Sequence, residues 1–307
     1  MEKRGYLLII AAGVLWGTTG TAQALAPAGA QPLAIGALRL LVSGAVLMAA
    51  LASKNMLAGK SMHASKSMPT GKRPPFAQRL PAGPVLLAAA CMAAYQVLFF
   101  AGVKMTGVAV GTIVGIGSSP VLAGLLGYIF RGERPGWRWG AATLLAVAGC
   151  VLLALSGESA AAAGINIDPL GMLLAVGAGG AYATFSLVSK NMLEQQPVER
   201  VMAVVFSLGA LMLAPLLFTQ DFGWLWQARG AAVILHLGVF ATALAYTLFG
   251  KGLQRVTLAT AVTLSLAEPL TAGMLGVLLL GERLTLLAGV GIALIFSGLV
   301  VLSVRAK

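Results

Sequence analysis

The sequence predicts an all-α integral membrane protein in which ten transmembrane helices form two five-helix repeats of inverted topology. Three observations lead to this fold class: an apolar composition, ten apolar runs of helical length, and an internal repeat. Hydrophobic residues make up 59% of the 307-residue chain and charged residues 10%, whereas a soluble domain carries roughly 25% charged residues. With a mean hydropathy of +0.91, the chain is expected to fold within a lipid bilayer.

Ten apolar segments follow one another along the chain. Each is close to the ~20 residues that a helix needs to cross a hydrocarbon core of ~30 Å. Because unpaired backbone amides in lipid are costly, helices are the expected spanning structure. The first five segments belong to a repeat in residues 1–156 and the last five to a repeat in residues 157–307. The segments lie approximately at 6–25, 33–52, 83–103, 108–130, 138–156, 169–190, 199–219, 230–250, 257–280 and 285–304.

A motif in the fourth segment recurs in the ninth, 149 residues later. Pro120 corresponds to Pro269, and the Gly-Glu-Arg triplet at 132–134 corresponds to the triplet at 281–283. Since each repeat holds an odd number of helices, the two repeats enter the membrane from opposite sides. Both triplets fall at helix ends, where we expect a capping or interface role.

The lysines and arginines of the loops indicate the orientation. With the N-terminus in the cytoplasm, 17 of them fall on the cytoplasmic side and three on the outer side, as the positive-inside rule favours. We therefore predict cytoplasmic N- and C-termini. The start of the chain, Lys3-Arg4 followed by an apolar run, also fits a cleavable secretory signal. Residues 16–18 have a counterpart at 182–184, however, which argues that the first helix is retained.

The one long loop, residues 53–82, repeats Lys and Met at a spacing of six residues and then becomes rich in proline. We predict a flexible cytoplasmic linker whose lysines rest on anionic lipid. A regulatory contact is the alternative.

The net charge of +12 does not indicate a nucleic-acid partner. Such a partner needs lysines and arginines clustered on one soluble face, whereas here they stand at helix ends. Cys91 and Cys150 lie within apolar runs and are expected to act as small packing residues.

Away from the helix ends, inside the hydrocarbon core, two formal charges remain, Arg39 and Glu268. Ionisable residues at membrane depth usually face a cavity or a partner. Arg39 lies roughly 9 Å from the outer end of its helix, so we expect a structural or gating role in which the side chain reaches outward or bonds a helix terminus. Glu268 lies near the midplane and must be protonated, paired or lining a wet cavity. Pro269 and Pro120 each remove a backbone hydrogen bond, so we expect both to kink their helices or open them toward a cavity.

Other polar and aromatic residues that interrupt apolar runs are further candidates for a central cavity. Each one singly also fits a packing residue or a hydrogen bond between helices. Matched positions in the two repeats, such as Trp16 and Tyr182, favour a shared site. The predicted substrate-binding residues are Trp16, Thr18, Tyr95, Gln96, Ser118, Ser119, Tyr182, Ser186, His236, Tyr246, Ser265 and Glu268, with Arg39, Pro120 and Pro269 in structural or gating roles.

An intramembrane enzyme would need a nucleophile with a base, or a set of metal ligands, at membrane depth. The sequence offers only two histidines, His63 and His236, and no aspartate within the predicted helices. We therefore predict no catalytic residue, metal site or cofactor. A passive channel or a membrane scaffold remains as an alternative. Phosphorylated substrates would require several basic residues in a cavity, so a neutral, zwitterionic or cationic solute fits better, with Glu268 meeting an amine or cycling a proton.

The double five-helix unit, the Trp16-Gly17 start, Arg39 after a loop proline and the two proline-to-Gly-Glu-Arg stretches resemble the drug/metabolite transporter superfamily, in its EamA-like branch. The resemblance covers nearly the whole chain. It implies a secondary transporter in the bacterial inner (plasma) membrane, with a small-molecule substrate such as an exported amino acid and with protons as a candidate coupling ion. It also implies a central path between helices one, three, four, six, eight and nine. Glu268-Pro269 matches the ninth-helix pattern of that branch, and Arg39 its second-helix arginine.

Overall fold

The computed structural model describes residues 2–64, 79–156, 168–281 and 285–304. Within these ranges ten helices are long and apolar enough to span a membrane, and no β-strand occurs, which confirms the all-α fold class. Residues 53–64 of the predicted 53–82 loop are helical, so the prediction of a flexible linker is wrong there, and residues 65–78 lie outside the described residues. The ten spans are α1 Glu2–Ala24, α2 Pro32–Ala64, α3 Ala82–Thr106, α4 Val108–Arg131, α5 Trp137–Leu155, α6 Pro169–Leu193, α7 Val198–Leu217, α8 Ala228–Leu253, α9 Leu258–Leu280 and α10 Leu286–Ser303.

The helix contacts follow an approximate two-fold relation between the repeats. α3 and α4 both pack on α6, and their counterparts α8 and α9 both pack on α1. α2 packs on α7 and α5 packs on α10, so these pairs join equivalent helices. Each helix of the first repeat corresponds to the helix five positions later in the chain. When every helix is replaced by its counterpart, the same set of contacting pairs results, as expected for inverted repeats. α5 and α10 are the least buried spans and stand at the side of the bundle.

Two spans of the second repeat depart from a regular α-helix. α8 is π-helical over His236–Leu244, a local irregularity that occurs often at functional sites. α9 consists of two segments, Leu258–Leu264 and Ala267–Leu280. The sequence predicts this disturbance, because Pro269 lies just after the interruption. At Pro120, by contrast, α4 remains helical, so no interruption like that of α9 occurs there.

The glycines of the two Gly-Glu-Arg triplets end their helices. Gly132 and Gly281 have φ angles of 63° and 71°, a left-handed conformation that glycine adopts without a Cβ clash. Their backbone N–H groups donate to the carbonyls of Gly127 and Gly276, in the manner of a glycine-terminated helix. The predicted capping role is confirmed at these two positions. The remainder of the second triplet, residues 282–283, lies outside the described residues.

The interior is closed at one end of the bundle. We call the end where α1 begins the near end, and the opposite end the far end. Toward the near end, Ile9, Phe249, Leu253 and Leu258 are fully buried and belong to one continuous apolar cluster. The near end is therefore packed rather than open.

Candidate functional site

A cavity lies in the middle of the bundle. Its empty volume is about 560 Å³, but the centres of water-sized molecules can occupy only about 40 Å³ of it. Seven helices from both repeats contribute to its wall, so the cavity lies between the repeats. The lining residues are Trp16, Thr19, Arg39, Tyr95, Ile116, Ser119, Tyr182, Tyr246, Val262, Ser265, Leu266 and Glu268.

Glu268 reaches this cavity from the interruption in α9. The backbone N–H of Glu268 donates to the carbonyl of Ser265 at 2.9 Å, and Ser265 and Leu266 separate the two helical segments. Pro269 has no N–H to continue the helical ladder at this point. Among the described residues, the Glu268 carboxyl group has no hydrogen-bond partner and no cation within 4.0 Å. The only carboxyl group of the cavity wall is therefore available to a ligand.

Aromatic rings form one side of the cavity. The ring centroid of Trp16 lies 4.7 Å from that of Tyr246 and 6.2 Å, edge-on, from that of Tyr182. Tyr95 lies 6.0 Å from Tyr182, so the wall continues across α3 and α6. Trp16 is 6% exposed, and its indole Nε1 is buried without an acceptor among the described residues. The aromatic wall offers both apolar surface and an unused hydrogen-bond donor.

Arg39 also lines the cavity, so the expectation that its side chain reaches outward is wrong. Its Nη2 donates to Oε1 of Gln96 at 3.2 Å, and Gln96 is 2% exposed. Nε of Arg39 is buried without a hydrogen-bond partner. The guanidinium is held inward because α3 supplies a neutral acceptor at this level.

Five predicted site residues lie away from the cavity wall. One of them, Gln96, bonds Arg39; the others are Thr18, Ser118, Ser186 and His236. Thr18 and His236 pair with each other, with Oγ1 and Nε2 2.8 Å apart. Since the Thr18 hydroxyl donates to a backbone carbonyl of its own helix, the histidine Nε2 is the donor in this pair. Ser118 and Ser186 likewise bond carbonyls within their own helices. The polar groups of Thr18, His236, Ser118 and Ser186 therefore bond within the protein, and these side chains do not line the cavity.

Four other residues that line the cavity are not predicted from the sequence. Thr19 faces the cavity where Thr18 was predicted, because adjacent helical positions point about 100° apart. Ile116, Val262 and Leu266 are apolar residues in apolar segments and carry no sequence signal. Only the relative rotation of the helices brings them to the site.

At the near end, side chains of the first repeat bond the second. Oε2 of Glu133 accepts from the backbone N–H of Leu258 at 2.7 Å, at the start of α9. Its Oε1 accepts from Nε of Arg131 at 3.0 Å. Arg131 also donates to Glu194 at 2.6 Å and to Asn191 at the end of α6. The predicted interface role of the first triplet is confirmed for Glu133, and these contacts tie α4 to α6 and α9 where the interior is closed.

Metal ligands do not gather in the described part of the chain: no three His, Cys, Asp or Glu side chains there could hold one ion. Cys91 and Cys150 are free thiols. The chemistry that the cavity offers is therefore that of one carboxyl group, one guanidinium, hydroxyl groups and aromatic rings.

Fold and site together define an integral membrane protein with a polar cavity between two inverted repeats, which is the architecture of a secondary transporter. The model of the EamA-like transporter family matches residues 3–155 and 169–304. The chain therefore belongs to the EamA-like transporter family, and it is a transporter and not an enzyme.

Similar proteins agree with this assignment. The uncharacterized transporter YwfM of Bacillus subtilis is 45% identical over 303 residues, which are 98% of this chain and 94% of that protein. The threonine/homoserine exporter RhtA of Salmonella typhimurium is 31% identical over 159 residues, 51% of each chain. A solved crystal structure has a TM-score of 0.80 at 22% identity and covers 98% of this chain and 96% of its own, which shows the fold alone.

Proposed function

We propose that this protein is a secondary transporter that exports an amino acid, or a similar small zwitterionic or neutral solute, across the bacterial plasma membrane by alternating access. The observation that carries the proposal is the unpaired Glu268 carboxyl group in a cavity bounded by both repeats. An ionisable group kept at membrane depth without a protein partner is costly. A transported amine or a coupling proton would compensate that cost.

The dimensions of the cavity support a small substrate and a moving bundle. The empty volume of about 560 Å³ includes space that is open to solvent, so the smaller volume that molecular centres can occupy is the one that limits a substrate. The centres of water-sized molecules can occupy about 40 Å³ of the cavity, which is room for only roughly three water molecules. An amino acid can enter only if helices of the two repeats move apart, and alternating access provides that movement.

The chemistry of the wall supports a substrate that carries an amine. Glu268 provides a negative partner, and the rings of Trp16, Tyr182 and Tyr246 provide faces on which an ammonium group or an apolar side chain can rest. A phosphorylated solute would need several cations, whereas the lining contains Arg39 alone. The name of the relative RhtA, a threonine/homoserine exporter, supports an amino acid and the outward direction.

We further propose that the near end faces the cytoplasm, with both chain termini. The 17 to three distribution of lysines and arginines supports this orientation. The packed near end would then separate the cavity from the cytoplasm in the described conformation, and the contacts of Arg131 and Glu133 would have to break for substrate to enter from inside.

An efflux screen tests the proposal. Cells that overproduce the protein are loaded with a panel of amino acids and nucleobases, and release is followed at several pH values. We expect faster efflux of one or more amino acids, with a pH dependence that Glu268→Gln abolishes. Glu199→Gln is the matched control, because Glu199 pairs with Lys54 and Lys251 near the start of α7, outside the cavity. Unchanged pH dependence in Glu268→Gln would contradict the proton role, and no release of any amino acid would contradict the proposed substrate class.

A further inference from the structure

The guanidinium of Arg39 is only partly used within the protein. A guanidinium carries N–H donors in a planar fork that matches the two oxygens of a carboxylate. In the described chain, Gln96 accepts from Nη2, while the buried Nε has no partner. No described carboxylate lies within 4.0 Å of Arg39, although Glu268 lines the same cavity. The charge is thus fixed in place and not neutralised.

Gln96 is held firmly between α2 and α3. It is 2% exposed, and its Oε1 passes close to the backbone of Gly36. A Cβ atom at Gly36 would lie only 3.2 Å from this Oε1 and 3.1 Å from a ring carbon of Phe100. The absence of a side chain at Gly36 therefore gives the amide its position one turn from Arg39.

A glutamine at this position has a specific consequence for the charge of the site. An amide oxygen accepts a hydrogen bond from the guanidinium and fixes its orientation, but it adds no negative charge. A glutamate of the same size would pair with Arg39 and cancel its charge. The site therefore keeps a positive group for the ligand, on a different helix from Glu268.

We propose that Arg39 binds the carboxylate of the transported solute and that Gln96 is a positioning residue that makes the site selective for solutes with a carboxylate. The substrate class is then a zwitterion, held by its carboxylate at Arg39 and by its ammonium group toward Glu268. This inference rests on the proposed transport function. It restricts the substrate class, which the sequence leaves as neutral, zwitterionic or cationic solutes, to zwitterions.

The test compares amino acids with the amines that remain when the carboxyl group is removed. The probes are L-leucine with 3-methylbutylamine, L-phenylalanine with 2-phenylethylamine, and L-threonine with 1-aminopropan-2-ol. Transport of each probe, or its competition with a transported amino acid, is measured in proteoliposomes with the full-length protein. KM and kcat are determined for the wild type and for variants at Gln96.

We expect Gln96→Glu to raise KM for amino acids roughly 10- to 100-fold, the equivalent of one charge-assisted contact, with little change in kcat. KM for the amines should stay the same or fall, because the added carboxylate removes a repulsive charge. Gln96→Met should keep the charge but release the guanidinium, so it should raise KM for amino acids by a smaller factor. Gln23→Glu introduces the same charge near the far end of α1, outside the cavity lining. It should leave the ratio of KM for the amino acid to KM for the amine unchanged.

The outcomes separate this inference from the proposed function. If the wild type transports amino acids and both Gln96 variants keep the wild-type ratio of amino acid to amine, the positioning role is overturned and the transport function stands. If the wild type prefers the amines, the carboxylate site at Arg39 is overturned. If the wild type transports no amino acid of the efflux panel, the proposed function itself fails.

Discussion

The contact between α1 and α9 beside Glu268 allows a sharp test of the packing. A Cβ atom on Gly17 would lie 2.5 Å from Cβ of Thr271 and 2.6 Å from the carbonyl oxygen of Glu268. Gly20 lies one turn further along the same helix, and a Cβ atom there would meet nothing within 4 Å. The pair Gly17→Ala and Gly20→Ala therefore adds the same methyl group to one helix with and without a clash.

The magnitude follows from the difference between the two positions. Both substitutions gain about 1 kcal/mol of helix propensity, because alanine favours a helix over glycine by that amount. Only Gly17→Ala must also displace backbone atoms of α9, and overpacking typically costs about 1–3 kcal/mol. We therefore expect Gly17→Ala to be less stable than Gly20→Ala by about 1–3 kcal/mol, and to transport more slowly because the segment that carries Glu268 is pushed aside.

Thermal unfolding of both variants in the same detergent provides the assay, with transport in proteoliposomes as the second measurement. The expected order of midpoints is Gly20→Ala at or above the wild type and Gly17→Ala below it. Equal midpoints and equal transport rates for the two variants would refute the close approach of α1 to α9 at the cavity.

Three further predictions concern buried polar contacts. Thr263→Val should destabilise the protein by about 1–3 kcal/mol, because the Trp139 indole donor, bonded to the threonine at 3.0 Å, is left unpaired; unfolding unchanged from the wild type would contradict this. Lys190→Met should cost roughly 2 kcal/mol, since the lysine is buried and donates to two backbone carbonyls between α8 and α9; a variant as stable as the wild type would show that these bonds contribute nothing. The Arg131 guanidinium is bonded to Glu194 and holds the pKa of that carboxyl below its ordinary value. The pair therefore contributes fully to the free energy of unfolding above a pH of about 4.3. This contribution is lost as the pH falls through the lower pKa of the folded state. The difference in stability between the wild type and Glu194→Gln should therefore be largest at neutral pH and vanish in acid, and a difference that grows in acid would contradict the pair.

The architecture was accessible from the sequence because the bilayer leaves few choices. Ten apolar runs of spanning length can hardly form anything but helices, and the repeated Pro and Gly-Glu-Arg positions indicated the inverted halves. Glu268 was identified for the same reason, since a carboxylate at the midplane requires an explanation. Trp16, Tyr182 and Tyr246 followed from their matched positions in the repeats, and all three lie on the cavity wall.

The rest depends on helix rotation and on contacts between distant segments. Nothing in the residues of α8 signals its π-helical section, which involves a shift of backbone hydrogen bonds. Arg39 was expected to reach outward because its depth alone was considered, whereas the buried Gln96 on another helix draws it inward. Thr18 and His236 are predicted to bind substrate, yet they bond each other outside the cavity wall. The position of a residue along its helix gives its depth in the membrane. The direction of its side chain depends on how the helices pack against one another.

Counterflow in proteoliposomes tests the central claim most directly. Purified protein is reconstituted with unlabelled L-threonine, L-leucine or L-phenylalanine trapped inside, and uptake of the same labelled amino acid is followed from outside. If the two repeats alternate around the cavity, trapped solute will accelerate labelled uptake and drive it transiently above its equilibrium level. For an amino acid that crosses at all, a rate that is independent of the trapped solute would indicate a passive channel and contradict alternating access.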